Sequence, residues 1–234
     1  MTSFDDQSAV REQYATEANL QARKALWENA EGDDPKGILW RTIEAWQPRR
    51  VLEVGGGEGE LAERMQRELG ATVSFVDISP RMVELARARG VDAVEGDVQQ
   101  LAFGDGAFDT VVAAWMLYHV PDLDAGLREI ARVLTKGGAL VAVTNAVGHI
   151  AELRELFAYP DFRTNFNSEN GEEILLRHFS AVERYDAVVK ATVHERERLV
   201  AYRDSLGFAV AEVPEDVELP FVVHGRPTIF VATT

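Results

Sequence analysis

VLEVGGGEGELAERM, residues 51–65, decides the fold. A short apolar run ends in Gly55, Gly56, Gly57 and Gly59 and passes directly into a helix-like segment. A strand, a glycine turn and a helix in that order bring a ligand against backbone amides, and the usual ligand is a phosphate. Yet Glu53, Glu58 and Glu60 stand in or beside this turn, and no basic residue follows before Arg64. A dinucleotide site wants G-x-G-x-x-G, or a small residue in the last place. Gly55 and Gly57 fit that pattern, but its last place is Glu60, and three carboxylates would repel a diphosphate.

Outward from the turn, strands and helices alternate. TVSFVD (72–77) has the β-branched and aromatic character of a strand. SPRMVELARARG (79–90) reads as a helix with Ser79 as cap, Pro80 in its first turn and Gly90 at its end. VDAVEGD (91–97) is a third strand, and the nearly continuous apolar run FDTVVAAW (108–115) suits a strand buried on both faces. DLDAGLREIARVLTKGG (122–138) predicts a helix closing on two glycines, followed by the strand ALVAVTN (139–145). Repeated strand–helix units predict a parallel sheet with right-handed crossovers.

The flanks are less regular. Residues 7–29 predict an amphipathic helix broken by GDDP (32–35), and a second helix fills 36–47. Residues 148–180 read as mostly helical around a loop at 159–171. Then come AVERYDAVVK (181–190), a charged helix at 194–205 and a terminal strand PTIFVATT (227–234).

Ligands of open α/β sheets bind at the carboxyl ends of the strands, beside the point where strand order reverses. Two acids stand at such ends, Asp77 and Asp97, beside the carboxylates of the glycine turn. A carboxylate at Asp77 has two acceptor oxygens for two ribose hydroxyls. One at Asp97 can accept from an adenine amine, with the Val98 amide donating to a ring nitrogen. A ligand with a nucleoside, a positive charge and no phosphate satisfies the whole set, and S-adenosylmethionine is such a ligand.

Together VLEVGGGEGELAERM, FVDISPRMVELAR, EGDVQQLAFGDGAFDTVVAAWMLYHVPD and LTKGGALVAVT resemble the class I S-adenosylmethionine-dependent methyltransferases, over about residues 48–145. The third consecutive glycine, Gly56, departs from relatives that often carry cysteine or another small residue there. YATEANLQARKALW, MLYHVPD and FNSENG are similar to a bacterial small-molecule group of ubiquinone/menaquinone-methyltransferase-like enzymes. The resemblance implies an α/β, Rossmann-like, seven-stranded sheet with helices on both faces. It divides the chain into an N-terminal helical lid (1–35), a cofactor-binding core (36–145), an inserted helical substrate cap (146–180) and C-terminal strands completing the sheet (181–234). It places the cofactor against Tyr14, Glu53, Gly55, Gly57, Gly59, Asp77, Ile78, Met82, Asp97, Val98 and Ala114, with Arg23 as a partner for its carboxylate.

Methyl transfer is an in-line displacement that positioning and exclusion of water can largely accomplish, so no catalytic dyad is required. His119 and Tyr118 are the catalytic candidates, and Trp115, Tyr118 and His149 the substrate candidates. A histidine titrates near neutrality and can act as a base where the acceptor must lose a proton. A protein that binds the cofactor without transferring the methyl is the alternative.

Composition sets the limits. With 234 residues, 46% hydrophobic and 27% charged, the chain suits one domain with a sizeable core. A net charge of -15 argues against a nucleic-acid partner. There are no cysteines, hence no disulfide, thiolate site or cysteine nucleophile. No His, Asp or Glu cluster has metal spacing, and no apolar run approaches a membrane span. The expectation is a cytoplasmic monomer or homodimer acting on a small molecule.

Overall fold

The computed structural model describes residues 18–159, 164–207 and 209–234. Its first half contains α1 (Ala18–Leu26), β1 (Glu31–Gly32), α2 (Pro35–Ala45), β2 (Arg50–Val54), α3 (Glu60–Leu69), β3 (Thr72–Asp77), α4 (Pro80–Ala88), β4 (Asp92–Glu95) and β5 (Phe108–Ala114). After a 3-10 turn (Leu117–His119) come α5 (Leu123–Val133), β6 (Leu134–Asn145), α6 (Ala151–Leu156), α7 (Gly171–Leu175), β7 (Ala181–Asp186), β8 (Val189–Val193), α8 (Arg196–Asp204), β9 (Phe221–Gly225) and β10 (Pro227–Thr233).

Seven strands form the main sheet in the order β4-β3-β2-β5-β6-β10-β7. The pairs β2–β3, β3–β4, β2–β5 and β5–β6 are parallel, and β10 runs antiparallel to both β6 and β7. The apolar runs read from the sequence are strands with both faces covered. Leu52, Val54, Val111 and Ala113 pack on one face, with Leu127 and Ile130 of α5. Val51, Val112 and Val141 pack on the other, with Leu39 and Ile43 of α2 and Met65 of α3. Strand order reverses between β2 and β5, so the carboxyl ends of β2, β3 and β5 meet there. That is where the site forms.

The flanks depart from expectation. The helix expected over 122–138 closes at Val133, because Leu134 already pairs with Phe108; the β5–β6 register then shifts before Thr110 pairs with Ala139. The single strand expected at 181–190 divides. β7 joins β10, whereas β8 pairs with β9 and β1 in a separate three-stranded sheet. Alternation explains the division: Val189, Ala191 and Val193 are buried while β7 is exposed along most of its length. The C-terminal strands therefore complete two sheets, and β10 is the antiparallel strand of the large one.

The region expected as a cap also divides. Leu153 and Phe157 pack with Val223 in the core of the small sheet, while Phe166 and Leu175 pack with Phe230 of the main sheet. Only α6 and α7 are helical among the described residues of 146–180.

Helix α1 ties the two sheets together. Its Leu26 is buried with Leu199 and Val223, and Arg198 Nη1 donates to the Ala25 carbonyl at 2.9 Å. Trp27 packs against Gly225, where a Cβ would come within 2.8 Å of the indole. The helix ends at Leu26, before the expected end at 29, and residues 7–17 of the expected helix, with Tyr14, lie outside the described residues.

Gly225→Ala is expected to destabilise the fold by about 1–3 kcal/mol through overpacking. Trp27→Ala removes the obstacle, so the double variant should lose less stability than the two single losses added. Urea unfolding checks this, and strict additivity would show that the indole does not rest on that glycine.

Candidate active site

Alternation along β2 turns Glu53 to the same buried face as Val51. Its side chain is 1% exposed, and the Ala62 backbone N–H from α3 donates to its carboxyl group. Oε2 has no hydrogen-bond partner among the described residues. Burial, reinforced by the charge of Asp77, pushes the Glu53 carboxyl up to about 8. The unexpected third glycine now has a cause. A Cβ on Gly56 would lie 2.4 Å from the Glu53 carboxyl carbon and 2.6 Å from the Phe75 ring.

Asp77 ends β3 and is 8% exposed. Burial raises it to about 6, although the backbone N–H groups of Ser79, Gly57 and Ile78 all donate to it. Asp97, beyond β4, is half-buried and held by Gln99: the Gln99 backbone N–H donates to Oδ1 at 2.9 Å and its side-chain amide to Oδ2 at 2.8 Å.

These acids line one cavity of about 450 Å³ at the strand-order reversal. Gly55, Gly57, Ile78, Met82, Val98 and Ala114 line it with them, as do Trp115, Tyr118 and His119. Trp115 sits in the left-handed region at φ 55°, and its indole N–H donates to Asn145 Oδ1 at 3.3 Å. A strained non-glycine residue is a feature that clusters at functional sites.

Residues 52–142 match the family described as a methyltransferase domain. The ubiquinone biosynthesis O-methyltransferase of Xanthomonas oryzae pv. oryzae is 42% identical over 102 residues, 41% of this chain and 42% of the relative. The demethylmenaquinone methyltransferase of Chlorobaculum tepidum is 30% identical over 129 residues, 50% of this chain and 53% of the relative. The chain thus spans about half or less of the length of these curated relatives. A Haemonchus contortus phosphoethanolamine N-methyltransferase, solved with S-adenosylhomocysteine, shares the fold at TM-score 0.65 and 19% identity, over 100% of this chain and 60% of that one.

Two residues expected at the cavity stand elsewhere. Gly59 is not in the cavity wall; it opens α3 at φ 75°, where a Cβ would lie 2.8 Å from that of Ala86 in α4. It serves helix packing. His149 is also absent from the wall: its Nδ1 accepts the Arg226 backbone N–H at 2.9 Å, its ring faces Trp27, and burial lowers it to about 4. The described residues of the supposed cap contribute nothing to the wall either.

The acids of the turn are not equivalent, which corrects the reading of three repelling carboxylates. Lys24 Nζ of α1 donates to Glu58 Oε2 at 2.6 Å and to Glu60 Oε2 at 3.0 Å. Gln21 adds a bond to Glu58 at 2.9 Å. The charge left to repel a diphosphate at neutral pH is therefore that of Asp77, because Glu53 keeps its proton. Lys24, Gln99 and Lys36 carried no local sequence signal for the cavity, because their places depend on contacts between distant segments.

Both raised carboxyls bind protons more tightly in the folded chain than in the unfolded one. Their contribution to stability is therefore full below the ordinary carboxylate range and is lost as pH rises through 6 and then 8. Urea midpoints measured from pH 5 to 9 should fall more steeply for the wild type than for Glu53→Gln, with the curves diverging steadily up to about pH 8 and no further above it. Parallel curves would mean that Glu53 is ionised in the free protein.

Proposed function

We propose that the protein transfers a methyl group from S-adenosylmethionine to an oxygen, nitrogen or carbon atom of a small molecule. One observation carries the reading: a buried carboxylate oxygen with no partner among the described residues, Glu53 Oε2, under a glycine turn that lines the cavity. An ammonium satisfies it once the carboxyl group has released its proton. S-adenosylmethionine has that ammonium, and when bound it supplies a methyl group activated by a sulfonium.

The residues present fit this ligand. Glu53 receives the ammonium. Asp77, already oriented by three backbone amides, accepts the ribose hydroxyls. Asp97 and the Val98 amide face the adenine, with Ile78 and Met82 as apolar walls. Gln99 holds the Asp97 carboxylate in place. The names of the curated relatives support a small-molecule acceptor.

Trp115 and Tyr118 bound the space left for the acceptor. The His119 and Tyr118 rings lie 4.5 Å apart by centroid. Holding the nucleophile in line and excluding water supply most of the rate, so His119 is a wall residue first, and a base only for an acceptor that must lose a proton.

Calorimetry should show binding of S-adenosylmethionine and S-adenosylhomocysteine and none of NAD. Asp77→Ala should weaken binding by roughly ten- to hundredfold, the scale of a lost hydrogen-bond partner to a charged group. Equal affinity for NAD would sink the reading. Binding without release of S-adenosylhomocysteine across a panel of phenols, amines and carbon acids would leave a binder and remove the transferase.

Once an acceptor is known, His119→Gln should keep measurable turnover. A loss of several orders of magnitude, together with loss of the neutral limb of the pH–rate profile, would make His119 an obligatory base.

A further inference from the structure

Residues 164–170 line no part of the cavity, yet their hydrogen bonds reach its acceptor side from behind. The segment is a loop tied to itself. Asn167 Oδ1 accepts the backbone N–H groups of Glu169 at 3.0 Å and Asn170 at 3.1 Å, and the Asn170 side-chain amide donates to the Asn165 carbonyl at 3.0 Å. Phe166 anchors it in the main core, and the Thr144 hydroxyl of β6 donates to the Phe166 carbonyl at 3.0 Å. Two bonds run outward from this base. The Ser168 backbone N–H donates to the Asn145 carbonyl at 3.1 Å, and Asn165 Nδ2 donates to the Val120 carbonyl at 2.7 Å.

Both bonds end on residues that carry the acceptor side of the cavity. Asn145 Oδ1 accepts the Trp115 indole N–H, while the Trp115 backbone N–H donates to the Val143 carbonyl at 2.9 Å. A left-handed backbone at a non-glycine residue persists only where its surroundings over-determine it, and β6 supplies both of these constraints. Val120 closes the 3-10 turn that presents Tyr118 and His119 to the cavity. A single turn gains little from its own hydrogen bonds, so a tether on its last carbonyl fixes where those two side chains stand.

The chemistry of Asn165 agrees. Its Oδ1 is buried with no hydrogen-bond partner among the described residues. Filling that space alone favours an apolar side chain, because an unpaired buried acceptor is costly. What an asparagine adds there is the bond to Val120.

We infer that Asn145 and Asn165 are positioning residues for methyl transfer, one holding Trp115 and the other the Tyr118–His119 turn in the places that align an acceptor. The inference rests on the proposed function and deepens it, because neither residue lines the cavity.

Asn145→Leu and Asn165→Leu remove the tethers at similar volume, and Asn145→Asp keeps an acceptor oxygen for the indole. In protein labelled with 5-fluorotryptophan, four fluorine resonances are present, and Trp115→Phe identifies one of them. Asn145→Leu should move the Trp115 resonance and leave those of Trp27, Trp40 and Trp46 in place, and Asn145→Asp should restore it. Asn165→Leu should speed amide exchange at His119 and Val120 while β2 and β5 keep wild-type protection. S-adenosylhomocysteine affinity, by calorimetry, should be unchanged in all three. With an acceptor from the panel of phenols, amines and carbon acids, kcat should fall about ten- to hundredfold in both leucine variants, the scale of a misplaced reactant, with KM for S-adenosylmethionine at the wild-type value. A Trp115 resonance that does not move, unchanged exchange at 119 and 120, or a loss of S-adenosylhomocysteine affinity parallel to the loss of turnover overturns the assignment. Loss of protection throughout the sheet in Asn165→Leu makes that residue a support of the fold and overturns its positioning role. A wild-type protein that turns over nothing in the panel removes the transferase reading itself, a result that does not depend on the variants.

Discussion

Glu53 at the end of β2 is the constraint on which the site depends. A carboxyl group that is 1% exposed and has one oxygen without a partner among the described residues is costly to keep in a core. Its surroundings make that tolerable. The Ala62 amide supplies one hydrogen bond, and burial keeps the proton on at neutral pH. Gly56 leaves the space the carboxyl group fills. The glycine run is therefore as much a response to the acid beneath it as a preparation for a ligand above it.

A second level of organisation starts at the same turn. Lys24 and Gln21 hold α1 against Glu58, while Leu26 and Trp27 pack the end of that helix and the following residue into the small sheet. The cavity is thus walled on one side by a helix whose far end is fixed elsewhere. Glu58 and Glu60, which look like obstacles to any anion, are the means of attaching it.

Much of the core was legible in the sequence, for a physical reason. A parallel strand buried on both faces must be apolar along its length, so FDTVVAAW announces itself without tertiary information. Acids at or just beyond strand ends, such as Asp77 and Asp97, stand out against those runs. Contacts between distant segments left no local trace. The pairing of β8 with β9 and β1 depends on three separated segments. Leu134 abandons the α5 helix because Phe108 offers it a strand partner. Gly59 looked like part of the ligand turn, and only the position of Ala86 shows that it serves the packing of α3 on α4. His149 followed a strand of the main sheet, and the backbone N–H of Arg226 claims it for the small one.

The central claim is that Glu53 is protonated in the free protein and gives up that proton to receive a cation. Calorimetric titration of S-adenosylhomocysteine at pH 7, in buffers of different ionisation enthalpy, measures the protons released on binding. With the free Glu53 carboxyl at about 8 and an ammonium favouring its ionised form, release approaching one proton is expected, and Glu53→Gln should abolish it. Tight binding with no proton release at pH 7, or the same release from Glu53→Gln, would contradict it.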